Sequence, residues 1–265
     1  MYTRFQLAIK YLHYYLTASN GKGHGIHSPF VFDFIKNVLQ HKKRYNSYLI
    51  VEKARQQLLK QKGKIEVEDF GAGSAVIKKN KRVVADMARS SLKPLKYAQL
   101  LFRMVQYYQP QTILELGTSF GVTTSYLAAG NANAKVYTIE GSAAIAEIAQ
   151  KTFNRMNFSQ IELTTGDFNN TLPALLAKLK SLDFVFIDGN HRKEPTLNYF
   201  QQLLRHSHSS TILVFDDIHW SAEMEAAWET IKLHPQVTLT IDLFFIGIVF
   251  FNPDINHKQH FTIRF

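Results

Sequence analysis

The sequence predicts an α/β fold: a doubly wound, mostly parallel sheet with an antiparallel last strand, preceded by a helical appendage. Three observations carry this. From residue 95 onward, short apolar strands alternate with segments of helical period, the pattern of βαβ units with helices on both faces of a sheet. The stretch "VTLTIDLFFIGIVFFN" breaks the rhythm. Its two apolar strands meet near Phe245–Gly247 with no room for a helix between them, so they pair antiparallel. The first ninety residues lack the alternation altogether. They also differ in charge: residues 1–96 hold 19 Lys and Arg against 6 Asp and Glu, and residues 97–265 hold 12 against 15. The expected boundary puts a basic appendage or lid at 1–89 and the sheet domain at 90–265.

Taken in order, "YTRFQLAIKYLHYYL" has apolar residues at helical spacing. "NGKGHGIHSPF" is a glycine- and proline-marked loop. "VFDFIKNVLQ" and "SYLIVEKARQQLLK" read as two further helices, and "GAGSAVIKKNKRVV" as a basic loop. The regular half then begins. Helix "LKYAQLLFRMVQYY" leads to strand "TILELG", and helix "GVTTSYLAAG" to strand "KVYTIE". "AAIAEIAQKTFNRM" leads to "IELTTGD", "TLPALLAKLK" to "LDFVFIDG", and "EPTLNYFQQLLRH" to "TILVFDD". Helix "SAEMEAAWETIKLH" precedes the strand pair, and "HFTIRF" closes the chain as an edge strand or an external segment.

Composition narrows the function classes. An apolar fraction of 46% with 20 Phe fills a sizeable core and argues against disorder. There is no cysteine, which removes disulfides, thiolate metal sites and cysteine nucleophiles. Lys10 and His13 interrupt the N-terminal apolar stretch, making it a poor signal peptide, and "LFFIGIVFF" is too short to span a bilayer. The expectation is a cytoplasmic protein with no transmembrane segment. The basic half could meet phosphates, nucleic acid or an anionic membrane, or be a solvated lysine-rich surface. The sequence leaves a homodimer open.

Two segments resemble the mouth of a nucleotide site: "KIEVEDFGAGS" at 64–74 and "TILELGTSFGVTTSYLAAG" at 112–130. In open α/β sheets ligands sit beyond the carboxyl ends of the strands, so the turn must join a strand to a helix and more strands must follow. The second segment meets this demand. A strand ends at Glu115, glycines follow at 117 and 121, and the next strand ends in Glu140, where a ribose-binding carboxylate is expected. The first does not, and reads as a turn in the appendage. Its functional alternative is that Asp69 and Ser74 cap a pocket. Thr118 and Ser119 stand where a dinucleotide loop has its middle glycine, and an acid before the turn would repel a pyrophosphate. Such a turn suits a cationic ligand bearing an amino group.

With Glu140, the "GDF" at Asp167 and the terminal strand pair, this pattern resembles the class I S-adenosylmethionine-dependent methyltransferases over roughly residues 90–252. The resemblance implies a Rossmann-like fold and these roles. Gly117 and Gly121 let the loop pass close to the cofactor, with Thr118, Ser119 and Gly141 beside it. Glu115 faces the methionine end and Thr123 its carboxylate. Glu140 binds the ribose hydroxyls, and Asp167 and Phe168 border the adenine. Ser90 and Ser91, just before the helix that leads into the first strand, are further contacts.

Two more strand ends carry acids: Asp188 in "FVFIDGNH", and Asp216 and Asp217 in "ILVFDD". Belonging to consecutive strands, the three carboxylates can converge, and oxygen ligands with room for water and substrate suit Mg²⁺, Mn²⁺ or Ca²⁺. This resembles the cation-dependent O-methyltransferases of the catechol and caffeoyl-CoA type, with Asp217 in place of their Asn. His191 stands where those enzymes have a lysine. "DGNH" is also similar to the D-G-x-H of sugar and macrolide O-methyltransferases. Histidine suits a general base because it titrates near neutrality. Trp220 falls at a substrate-facing tryptophan of the caffeoyl-CoA type, and His219 beside it is a second substrate candidate or a packed core residue. The bland alternatives are a cofactor contact for Asp188 and a helix cap for Asp217.

The reading is an S-adenosylmethionine-dependent O-methyltransferase of a small-molecule hydroxyl, with Asp188 and His191 at the chemistry and Mg²⁺ or Mn²⁺ at Asp188, Asp216 and Asp217. The alternatives are a nucleic-acid methyltransferase using the basic half and a non-catalytic binding module. No N-P-P-Y motif follows the fourth strand, which speaks against nucleic acid, and none of the acids at 115, 140 and 188 has been lost.

Overall fold

The computed structural model describes residues 1–69 and 78–265. The glycine turn of the 64–74 segment, including Gly71, Gly73 and Ser74, lies outside the described residues, as does the capping role considered for Asp69 and Ser74. The chain divides into two compact units: residues 42–179, and residues 1–41 with 180–265. The first 89 residues are therefore shared between them. Among the described residues, 42–179 hold a run of three parallel strands and a hairpin, and 1–41 with 180–265 hold a run of five strands.

In the unit of 42–179, helix α3 (Asn46–Lys60) leads into a hairpin of β1 (Lys64–Asp69) and β2 (Lys78–Val83). The hairpin corrects the reading of "KKNKRV" as loop. Its lysines obscure an alternation in which Val67 is buried, Ile65 packs against the core and Glu66 stands opposite Lys81. Helices α4 (Val84–Ser91) and α5 (Leu95–Tyr108) follow. Then come β3 (Thr112–Leu116), α6 (Val122–Gly130), β4 (Lys135–Glu140), α7 (Ala143–Arg155), β5 (Ile161–Thr165) and α8 (Phe168–Leu176). The strands run parallel in the order β3-β4-β5. β3 and β4 are buried or half-buried along nearly their whole length, as expected of strands covered on both faces. Tyr48, Phe102, Phe120 and Tyr126 centre the core, which Val51, Leu58, Val84 and Ala98 complete.

In the other unit, α1 (Arg4–Thr17) starts from a capping box in which Thr3 and Gln6 bond each other reciprocally. Helix α2 (Pro29–Phe34), with Pro29 at its first position, runs into one π-helical turn, Ile35–Leu39. After residue 180 come β6 (Leu182–Ile187), α9 (Lys193–Leu204), β7 (Ser207–Asp216), α10 (Ala222–Leu233), β8 (Leu239–Asp242), β9 (Ile246–Phe250) and β10 (Gln259–Thr262). The order is β6-β7-β9-β8-β10. The antiparallel strand is β9, lodged between β7 and β8, and the closing segment adds β10 at the edge, parallel to β8. α1 is fastened here: Tyr11 and Tyr14 pack on Phe244 and Phe245, and the Tyr14 hydroxyl donates to the Ile263 carbonyl at 2.5 Å.

Candidate active site

In the unit of 42–179, the loop after β3 is built for a close approach. Gly117 and Gly121 have φ of 103° and 79°, a region glycine enters at little cost, and Ser119 is held at 48°. Gly121 has a second reason. A Cβ there would come within 2.5 Å of the Phe153 ring on α7, so the residue sets how near α6 lies to α7. The amides of Gly117 and Thr118 both donate to the Ile139 carbonyl at 3.0 and 3.2 Å, tying the loop to the end of β4.

The two acids of this loop are each held. Glu115 is fully buried, and one carboxylate oxygen accepts from the Thr124 and Thr138 hydroxyls at 2.5 and 2.6 Å. Thr118 is buried too, its hydroxyl 2.6 Å from that of Thr138. Glu140, half-buried, accepts from the Ser119 amide at 2.8 Å with one oxygen and from the Ser142 amide at 3.0 Å with the other. It thus clasps the glycine loop and the turn that begins at Gly141. The Ser91 hydroxyl lies 3.1 Å from that of Ser119, at the same lip, whereas Ser90 donates to the Met87 carbonyl within its own helix. Thr123 is buried on α6. Asp167 caps α8 through the Asn169 amide at 2.8 Å, and Phe168 is its partly exposed first residue. Thr124, Thr138 and Ser142 were not singled out in the sequence. Hydroxyl residues on buried elements beside a buried acid are the signal that marks them.

In the unit of 1–41 with 180–265, Asp188, His191 and Asp216 come together, each offering a ligand atom within 4.8 Å of the others. Asp216 is buried at the end of β7, and the other two are half-buried. His191 Nε2 stands 3.6 Å from an Asp188 oxygen, beyond hydrogen-bond range. Two residues in the left-handed region aim these loops: Asn190 at φ 54° after β6 and Asp217 at 53° after β7. Asn190 donates to the Tyr199 hydroxyl at 3.1 Å and accepts from Arg192 at 3.0 Å, which fixes the turn carrying His191.

Asp217 does not join the cluster. Its amide donates to the Phe245 carbonyl at 2.6 Å, and its carbonyl accepts from the Trp220 amide. Nor does it cap α10, whose first turn is capped by Ser221 through the Met224 amide. Trp220 is half-buried and its carbonyl takes the Tyr2 amide at 3.1 Å. His219 bridges two acids, with Nδ1 3.0 Å from Glu225 and Nε2 2.8 Å from Asp242, and stacks on Phe244. Burial alone would lower its pKa, but the two carboxylates outweigh burial and raise it. Glu225 also accepts from Tyr2 and from Lys10 on α1, at 2.7 and 3.0 Å. His219 therefore sits in a packed ionic knot that anchors α1.

Residues 114–218 match the family model described as a methyltransferase domain. The match covers less than half of the chain. It spans the glycine loop, both acids of that loop and the Asp188–His191–Asp216 cluster. The chain is 35% identical over 144 residues to a catechol O-methyltransferase of Niastella koreensis, covering 52% of this chain and 63% of that protein. It is 31% identical over 132 residues to a rat transmembrane O-methyltransferase homolog, 47% of this chain and 50% of that one. The chain thus spans less than two thirds of the length of the curated relatives it matches. An O-methyltransferase from Bacillus cereus, solved in complex with SAH, superposes with a TM-score of 0.57 at 22% identity, over 83% of this chain and 97% of that one. At that identity the likeness bears on the fold alone, a Rossmann-like, mostly parallel sheet. No described helix is long and apolar enough to cross a membrane.

Proposed function

We propose that the chain is an S-adenosylmethionine-dependent methyltransferase that methylates a hydroxyl of a small molecule. The observation that carries this reading is Glu140. A carboxylate at the end of the second parallel strand, with one backbone amide on each oxygen, is oriented before any ligand arrives. A ribose diol would bring two hydroxyl donors to this carboxylate, an acceptor with two oxygens held at a fixed angle. Gly117 and Gly121 would keep the loop clear of side chains next to it, and Ser91, Thr123, Asp167 and Phe168 would line the rest. When bound, S-adenosylmethionine supplies an electrophilic methyl, and the protein contributes chiefly by holding acceptor and donor in line.

Asp188 and Asp216, with His191 beside them, fit a divalent cation such as Mg²⁺ or Mn²⁺, because carboxylate oxygens are the ligands these ions take. A cation there would acidify and orient the acceptor hydroxyl. Asp188 and Asp216 would hold it, and His191 Nε2 would take the hydroxyl proton. Asp217 is left out of this set on its geometry. We assign the choice of acceptor to the first 89 residues. The catechol activity named for the Niastella relative makes vicinal aromatic diols the first acceptors to try. Label from methyl-labelled S-adenosylmethionine should appear in a catechol or another hydroxyl acceptor, vanish in EDTA and return with Mg²⁺ or Mn²⁺. Transfer to RNA or DNA instead, with a steep salt dependence of binding, would replace this reading.

A further inference from the structure

We infer that the outer face of α1 is the surface through which two copies of this chain pair, antiparallel about a two-fold axis. Phe5, Ile9, Leu12 and Leu16 lie at spacings of four, three and four, the seam of a helical pair. All four are exposed, Phe5 by 74% and Leu16 by 70%, and Met1 and Tyr15 extend the stripe. The opposite face of the helix is already engaged by Phe244, Phe245 and Glu225, so the stripe is not an inner face displaced from its own unit.

The occupant follows from area and charge. At roughly 200 Å² for a fully exposed large side chain, these six residues offer about 700–800 Å². That is close to the ~800 Å² each partner buries in a standard interface. The positions flanking the seam, Gln6, Ala8, His13 and Tyr15, include no lysine, arginine or acid. Arg264 brings a cation to one end, its guanidinium 4.4 Å over the Tyr15 ring, and leaves the middle of the seam uncharged. An anionic bilayer would call for lysines and arginines beside the apolar stripe. Here α1 has Arg4 and Lys10, and Lys10 is engaged by Glu225 at 3.0 Å. Orientation is set by the ends. A parallel pair would place both Arg4 side chains together and align the helix dipoles. The antiparallel pair separates them and opposes the dipoles. It sets Phe5 against Leu16 of the second copy and Ile9 against Leu12.

The test uses the full chain without donor or acceptor. Sedimentation velocity at micromolar concentration should give a dimer. Leu12→Glu should raise its dissociation constant at least about thirtyfold, with circular dichroism and S-adenosylhomocysteine affinity unchanged. Because the chain has no cysteine, Phe5→Cys protein mixed with Leu16→Cys protein should cross-link on mild oxidation, while Phe5→Cys alone should not. A wild-type monomer at 100-fold higher concentration than the assay, or a dimer indifferent to Leu12→Glu, overturns the proposal. So does cross-linking of Phe5→Cys to itself. Tight binding of a monomer to phosphatidylserine vesicles, lost with Leu12→Glu, would assign the stripe to a membrane instead.

Discussion

Glu140 and Asp188 stand at or just past the carboxyl end of a parallel strand, yet their carboxylates are held differently. Glu140 is clasped by two backbone amides at 2.8 and 3.0 Å, and its neighbour Glu115 by two threonine hydroxyls. These are charge-assisted bonds that fix an acid in place as an anion. Asp188 meets an imidazole at 3.6 Å and shares its surroundings with the buried Asp216. One arrangement is complete within the chain and ready for neutral hydroxyls or an amino group. The other is a convergence of acids that a cation would stabilise. An acid at a strand end thus acquires its role from what the neighbouring turn supplies.

The sharpest way to break this contrast is Asp188→Ala. Turnover should fall on the order of 10³-fold, the scale of several kcal/mol of lost charge stabilisation, while S-adenosylhomocysteine affinity holds. Asp216→Asn should cost less, because an amide keeps an oxygen ligand. Manganese titration followed by electron paramagnetic resonance should show weakened binding in both. Equal loss of donor affinity would merge the two regions into one site. Asp217→Ala should leave Mn²⁺ affinity near wild type, since that residue stands outside the cluster.

Next in size is Gly121→Ala. The positive φ and the approach of Phe153 to 2.5 Å oppose a Cβ, so stability to urea should drop by about 1–3 kcal/mol and donor affinity with it. If stability were unchanged, the loop would be softer than its hydrogen bonds imply.

The smallest effect belongs to the knot around His219. Burial lowers its pKa, but Asp242 and Glu225 outweigh this and raise it. A raised histidine contributes stability fully below its ordinary value near 6.5 and loses it as pH climbs through the raised one. Burial likewise opposes the charge of Glu225, yet bonds from Tyr2, Lys10 and His219 hold its pKa down. Its contribution is present above the ordinary carboxylate range and is lost in acid. His219→Gln should therefore cost about 1–2 kcal/mol near pH 6 and progressively less toward pH 9, read from thermal melts. A cost that does not vary with pH would mean that packing against Phe244, rather than charge, is what His219 supplies.

These contrasts also mark what the sequence could disclose. The alternation of strand and helix is set by local period and apolar content, so the parallel strands, and the antiparallel pair near Phe245, were legible. The β1–β2 hairpin was not, because lysines on its solvent side mask Val67 and Ile65. Glu140 was legible because its place depends on one strand end and one glycine turn, both local. His219, expected as a substrate residue or a packed core residue, has its partners Glu225 and Asp242 on α10 and β8, and only tertiary packing brings them to both ring nitrogens. Asp217 stands outside the Asp188–His191–Asp216 cluster for a local reason that sequence conceals, a left-handed φ of 53° with its amide turned to Phe245. His191 was read as a base, and its convergence with both acids depends on the Asn190 turn.

The central claim is that the glycine loop closed by Glu140 holds S-adenosylmethionine. Isothermal titration calorimetry of S-adenosylhomocysteine into the wild type and Glu140→Ala, in EDTA to remove any cation, tests it directly. The account predicts a single site on the wild type and at least about tenfold weaker binding to the variant, the loss of one or two charge-assisted hydrogen bonds. No binding to the wild type, or equal affinity for both proteins, would contradict it.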